Sequence, residues 1–216
     1  MHLKKMSLND ARLYLILDRS VHSYEKLFEI AKKAMVAGVD VMQLRDKTGQ
    51  AKEILDFSRR ILGMTKGRVP YIINDRVDLA MVSGSSGVHL GQDDVPLVEA
   101  RKMFGEDALI GVSCQTYEHA QKAERDGADY IGFGSVFKTL TKPDRQPLDT
   151  GLLKKVFQDI KIPVFAIGGI DLTNVIQLKN IGVDRVAVCR AVSQAENIEK
   201  AVRQFKTNIA RTAVTR

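Results

Sequence analysis

Two aspartates, Asp75 and Asp94, follow short apolar runs, in Ile73-Asn74-Asp75 and Leu90-Gly91-Gln92-Asp93-Asp94. Carboxylates so placed suit Mg²⁺, which takes one or two of them and completes its shell with waters and phosphate oxygens. The same residues would serve equally well as caps for short helices starting at Arg76 and near Pro96. Arg45 and Lys47 flank Asp46. A guanidinium fork and an ammonium point charge match diphosphate oxygens, with a solvated loop holding one local ion pair as the plainer alternative. Gln43 lies two residues before Arg45 and points the same way by strand alternation, where its amide could read the donor and acceptor edge of a heterocycle.

Further along, Ser135 to Pro147 forms a long connection that carries Thr139, Thr141 and Lys142, hydroxyls and a charge suited to phosphate. Gly168-Gly169 and Cys189-Arg190 each end an apolar run and open a helix, where backbone N–H groups bind phosphate. His89 sits inside a strand and reads as a wall or core histidine more readily than as a base. Neither GxSxG, HExxH nor a Walker A pattern occurs, which argues against serine hydrolases, zincins and P-loop enzymes. Cys114 beside Ser113 reads as packing, and the two cysteines, Cys114 and Cys189, lack the spacing of a zinc site or disulfide framework.

These residues need elements to bring them together. Strands are predicted over Leu13–Asp18, Val41–Arg45, Tyr71–Asn74, Gly87–Gly91, Leu109–Ser113, Tyr130–Gly134, Val164–Gly168 and Arg185–Cys189, separated by amphipathic stretches long enough for crossover helices. The stretch after Asn74 leaves room only for a brief helix. Gly38, Gly127 and Gly182 each precede an Asp-strand junction and fit left-handed helix caps. Seven of the eight predicted strands contribute candidate polar residues at or just after their carboxyl ends. A doubly wound open sheet would show them only at its switch point, whereas a closed barrel collects all βα loops on one face. The expectation is therefore one α/β domain over residues 1–216, a (βα)₈ TIM barrel, with 1–12 and 207–216 as flexible ends.

With 216 residues, 44% of them hydrophobic and 27% charged, the chain has the composition of a globular domain. Its longest uncharged stretch, Leu79 to Gln92, is too short and polar to cross a bilayer, and no apolar segment follows the basic N-terminus. No membrane association and a cytoplasmic location are expected. The net charge of +7 admits nucleic acid, but the bases are dispersed and Trp is absent, so small anionic substrates are the preferred partners and no nucleic acid is expected.

Four segments taken in order, Gln43-Leu44-Arg45-Asp46-Lys47, Ile73 to Ala80, Val88 to Asp94 and Gly111-Val112-Ser113, resemble the thiamine-phosphate synthase family. Gly127 to Gly134, Thr139-Leu140-Thr141-Lys142 and Ala166 to Ile170 continue the likeness, which runs roughly from Leu13 to Phe205. The resemblance implies a transferase that joins hydroxymethylpyrimidine diphosphate to hydroxyethylthiazole phosphate, giving thiamine phosphate and diphosphate. It implies Mg²⁺ on Asp75 and Asp94, and diphosphate contacts from Arg45, Lys47, Asn74 and Lys142. Gln43 and Ser113 would meet the pyrimidine, and Thr139, Thr141, Gly169, Cys189 and Arg190 the thiazole phosphate, with Lys142, Arg45, Lys47 and Ser113 the catalytic set. The chain departs from the family pattern at Ser135 and Lys138, where proline is common, and at Arg190, where a small serine is. A thiazole tautomerase-like isomerase and a non-catalytic phosphate-ligand sensor are the alternatives on the same barrel.

Overall fold

Short β-branched and aromatic runs, each bounded by a helix that returns the chain to the same end, can pair only as parallel strands. A computed structural model describes residues 7–139 and 146–210. Its elements run β1 (Leu13–Asp18), α1 (Tyr24–Val36), β2 (Val41–Arg45), α2 (Ala51–Thr65), β3 (Tyr71–Asn74), α3 (Val77–Ser83), β4 (Gly87–Leu90) and α4 (Leu97–Phe104). They continue with β5 (Leu109–Cys114), α5 (Tyr117–Arg125), β6 (Tyr130–Phe133), α6 (Thr150–Asp159), β7 (Val164–Ile167), α7 (Val175–Asn180), β8 (Val186–Val188), α8 (Arg190–Ser193) and α9 (Ile198–Ile209). The strands form a closed barrel in chain order, with β8 pairing back onto β1. This is the expected (βα)₈ architecture.

The repeated glycine-aspartate junction has a structural reason. Gly38, Gly127 and Gly182 adopt φ of 91°, 89° and 93°, the left-handed conformation that ends a helix. The aspartates that follow tie down the amino ends of neighbouring strands. Asp40 accepts the N–H groups of Arg12 and Leu13, both at 2.9 Å, and Asp129 accepts that of Ile110 at 2.8 Å.

Alternation along β1 sorts its side chains into two layers. Leu13, Leu15 and Leu17 join the core between barrel and helices, while Tyr14 and Ile16 join a smaller cluster inside the barrel with Val41, Ile72, Leu109, Tyr130, Phe165 and Ala187. Leu8 and Ala11, within the segment expected as a flexible end, are buried in that inner cluster, and Ile209 is buried at the close of α9. Tyr14, Tyr130 and Phe165 pack with ring centroids 5.4 to 5.9 Å apart and floor the space above them. Such pairs contribute about 0.5–1.5 kcal/mol each beyond area burial. Among the described residues no helix is long and apolar enough to cross a membrane.

Candidate active site

Above this floor, at the carboxyl ends of the strands, lies a cavity of about 500 Å³. Every strand contributes to its wall: Tyr14, Gln43, Asn74, His89, Ser113, Tyr130, Phe165 and Ala187 in order. Of the residues expected to act together, Gln43, Arg45, Asn74, Ser113, Thr139, Gly169, Cys189 and Arg190 all line it. Thr141 and Lys142 lie outside the described residues. A second hollow of about 510 Å³ sits at the other end of the barrel, around Pro163, Val164 and Arg185, away from every βα loop.

Lys47, Asp75 and Asp94 form a separate charged group beside Asn74. Asp75 has φ of 61°, a left-handed conformation uncommon outside glycine, and its N–H donates to the carbonyl of His89 at 2.8 Å. The Lys47 ammonium pairs with the Asp75 carboxylate, which also shares a hydrogen bond with Asp94. Asp94 accepts the Gly91 N–H at 2.7 Å, and a Cβ on residue 91 would stand 2.7 Å from that same oxygen. A larger residue there would push the carboxylate from this position. Arg76 and Pro96 occupy the N-cap positions of α3 and α4, so neither aspartate is a helix cap.

The electrostatics of this pair are unequal. Burial raises the pKa of Asp75, and the neighbouring Asp94 adds to the rise, together outweighing the Lys47 ion pair. At Asp94 burial also pushes upward, but the hydrogen bonds from Asp75 and the Gly91 N–H outweigh it and hold its pKa low. Two ionised carboxylates beside one ammonium leave the group with an excess of negative charge. That donor set fits Mg²⁺, which needs few protein carboxylates. Among the described residues no three His, Cys, Asp or Glu side chains gather as a larger metal cage.

Arg45 is held differently. Its Nη1 donates to Asp18 Oδ2 at 2.9 Å, and Asp18 is buried with 1% exposure. The pair follows from register, because Asp18 and Arg45 stand opposite one another on β1 and β2. Asp46 forms no ion pair with its flanking bases: it accepts the Thr48 and Gly49 N–H groups at 3.0 and 2.7 Å and the Tyr24 hydroxyl at 2.6 Å. The loop after β2 is thus folded around Asp46, with Arg45 directed to Asp18 and Lys47 to Asp75.

A continuous chain of polar groups crosses the wall and floor. Gln43 Nε2 donates to Asn74 Oδ1 at 3.2 Å, and Tyr14 Oη donates to Gln43 Oε1 at 2.8 Å. Tyr14 Oη lies 3.0 Å from Tyr130 Oη, which lies 3.3 Å from His89 Nδ1. His89 Nε2 lies 2.9 Å from Ser113 Oγ. Asn74 Nδ2 is buried without a hydrogen-bond partner, a donor left for a ligand.

The loops after β6, β7 and β8 build the other side. Val136 and Phe137 N–H groups donate to the Ile167 and Gly168 carbonyls, both at 2.9 Å, and Leu148 N–H donates to Ser135 O at 2.8 Å. Ser135, where proline is common in the family pattern, donates its hydroxyl to Phe137 O at 2.8 Å and so braces the same turn. A Cβ on Gly168 or Gly169 would meet Ser135 Oγ at 2.1 Å or Lys138 O at 2.4 Å, and both glycines have positive φ. Lys138 and Arg190 both line the cavity, and Arg190 Nε is buried without a hydrogen-bond partner. Burial pushes the thiols of Cys114 and Cys189 up to about 12, so neither supplies a thiolate nucleophile.

Tyr14, Asp18, His89, Tyr130 and Lys138 line the cavity in addition to the expected set. Strand alternation would have found two of them, since Tyr14, Ile16 and Asp18 are the inward positions of β1 and Asp18 ends it as Arg45 ends β2. Tyr130 carries no such sign, because a tyrosine opening an apolar strand looks like core.

Comparison with known proteins gives this cavity a context. A family model described as thiamine monophosphate synthase matches residues 13–192. The thiamine-phosphate synthase of Halalkalibacterium halodurans is 40% identical over 202 residues, covering 93% of this chain and 96% of that protein. The one from Clostridium tetani is 39% identical over 206 residues, covering 95% and 97%. Among solved structures, thiamine phosphate pyrophosphorylase from Pyrococcus furiosus superposes with a TM-score of 0.83 at 33% identity, covering 93% of this chain and 96% of that one. A 3-hexulose-6-phosphate synthase, at TM-score 0.70 and 18% identity, shares the fold. The cavity at the carboxyl face and these full-length likenesses agree: the chain belongs to the thiamine monophosphate synthase family.

Proposed function

We propose that the cavity binds hydroxymethylpyrimidine diphosphate and hydroxyethylthiazole phosphate together and joins them into thiamine phosphate, releasing diphosphate. Family membership makes the chain a transferase of thiamine biosynthesis. The observation that carries the finer reading is the meeting of Asp75, Asp94 and Lys47 beside Asn74, at one edge of a pocket lined by the hydrogen-bonding side chains of Gln43, Asn74 and Ser113 and by the cations Arg45, Lys138 and Arg190. The acidic pair suits a cation where a diphosphate would leave, the amide and hydroxyl side chains suit a heterocycle, and Lys138 and Arg190 suit a phosphate.

In this reading Asp75 and Asp94 hold Mg²⁺, which when bound supplies Lewis-acid stabilisation of the departing diphosphate. Arg45 and Lys47 fix the diphosphate oxygens, with Lys142 joining them by family resemblance, and Asn74 Nδ2 donates toward the substrate. Fixed cations stabilise the charge that develops as the bond between the pyrimidine methylene and the diphosphate oxygen breaks, with both electrons leaving on oxygen. The electron-rich aminopyrimidine supports the resulting carbocation, and the thiazole nitrogen donates its lone pair to form the new C–N bond. No protein nucleophile is required, in keeping with the two buried thiols. Gln43 and Ser113 orient the pyrimidine. Thr139, Thr141, Gly169, Cys189 and Arg190 receive the thiazole phosphate, and a cytoplasmic location belongs to the same proposal.

The test is an omission series. Pure protein is incubated with both substrates and Mg²⁺, then with each component left out, and inorganic diphosphate and thiamine phosphate are quantified. Equal amounts of the two products, formed only in the complete mixture, are expected. Isomerisation of a thiazole carboxylate phosphate without diphosphate release would favour the tautomerase-like alternative, and tight binding without turnover a sensor.

A further inference from the structure

The polar chain through the barrel has a direction, and that direction reaches the substrate. Gln43 Nε2 gives one of its two protons to Asn74 Oδ1, and this orientation of the amide makes Gln43 Oε1 the acceptor for Tyr14. With its single proton donated there, the Tyr14 oxygen can only accept from Tyr130 at 3.0 Å. Tyr130, its own proton committed to Tyr14, must in turn accept from His89 Nδ1 at 3.3 Å. A neutral imidazole protonated on Nδ1 offers only a lone pair at Nε2, and the group facing that nitrogen at 2.9 Å is the Ser113 hydroxyl.

We infer that Tyr14 and Tyr130 set the tautomer of His89 and, through it, make Ser113 a hydrogen-bond acceptor toward the substrate. Both ring nitrogens of the buried imidazole face hydroxyls in these bonds. Ser113, its proton held by His89, presents lone pairs to the cavity, while Asn74 Nδ2 presents a donor. The wall therefore selects a heterocycle with an N–H donor at Ser113, as an aminopyrimidine provides. An oxo group in place of the amine would set lone pair against lone pair. Reversing the whole chain would require the Gln43 and Asn74 amides to turn over together. His89, Tyr130 and Tyr14 are positioning residues in this scheme, acting through Ser113, and the selectivity they confer rests on the substrate reading above.

The test is nitrogen NMR of the full-length, ligand-free protein labelled with [¹⁵N]histidine, the His89 signals being assigned by their loss in His89→Gln. The expected pattern is a protonated Nδ1 and an unprotonated Nε2 at His89, moving toward the Nε2–H form in Tyr130→Phe. Tyr14→Phe, one link further along, provides an independent second variant with a shift in the same direction. A His89 ring protonated on Nε2 in the wild type, or a pattern that neither tyrosine variant moves, overturns the inference. Kinetics give a second reading: wild type should prefer the amino over the oxo pyrimidine diphosphate by roughly tenfold or more, and Tyr130→Phe should narrow that preference to about threefold. An unchanged preference contradicts the relay. Turnover of both substrates alongside the wrong tautomer refutes this inference alone, whereas the expected tautomer without turnover refutes the substrate reading alone.

Discussion

Asp75 concentrates several demands on one residue: a left-handed backbone, an ion pair with Lys47 and a shared hydrogen bond with Asp94. Because burial and Asp94 raise its pKa, its ionisation costs the metal-free fold. Its contribution to stability is complete below the ordinary carboxylate range and is lost as pH rises through the raised value. Asp75→Asn should therefore raise the melting temperature of the metal-free protein at neutral pH, by about 2 °C, and a comparable fall in a thermal melt would contradict this reading. A cation binds the ionised form of Asp75, so Mg²⁺ affinity should increase with pH up to the raised pKa and level off above it. Calorimetry in buffers of different ionisation enthalpy would detect the released proton, and proton-neutral binding at the low end of that range would count against the site. Arg190 is tested separately. With its Nε buried and unpartnered at the cavity wall, Arg190→Ser should raise KM for the thiazole phosphate about tenfold, the scale of one charge-assisted hydrogen bond; an unchanged KM removes it from the phosphate site.

The elements explain why these residues meet. Each strand brings inward side chains to the cavity and the connections after β6, β7 and β8 add more, so sites distant in sequence converge once the barrel closes. The strands were legible in the sequence to within about a residue, because glycine caps and strand-tethering aspartates such as Asp40 and Asp129 punctuate the apolar runs. Arg45 and Lys47 were legible as cations, but their partners were not. Asp18 and Asp75 belong to other βα units, and only the register of β1 on β2 and the turn after β3 bring them close. His89 was correctly read as a wall residue, yet its bonds to Ser113 and Tyr130 cross between strands and leave no local trace. The contact of the β6–α6 connection with the glycine pair after β7 is likewise tertiary. A methyl group on Gly168 would collide with Ser135 Oγ at a φ of 106°. Gly168→Ala should therefore displace that connection, destabilise the protein by about 1–3 kcal/mol and raise KM for the thiazole phosphate more than KM for the pyrimidine diphosphate. Equal effects on the two would show that the loop does not serve the phosphate end.

On the scale of the whole molecule, the barrel divides its interior by polarity. Apolar side chains fill the lower layers up to the ring cluster of Tyr14, Tyr130 and Phe165, hydrogen-bonding groups and the cations Arg45, Lys138 and Arg190 line the space above, and the acidic pair Asp75 and Asp94 stands with Lys47 at one edge. A heterocycle and a leaving diphosphate require that division, and it places the cation-binding pair at the centre of the account. The most direct measurement is an Mg²⁺ titration of thiamine phosphate formation by wild type and Asp94→Asn, with both substrates saturating. The account predicts saturable Mg²⁺ dependence in the wild type, abolished by chelation, and a kcat lower by about 10²-fold or more in the variant, the scale for losing one preorganised electrostatic contact. Turnover that ignores Mg²⁺, or an Asp94→Asn enzyme as fast as wild type at every concentration, would contradict it.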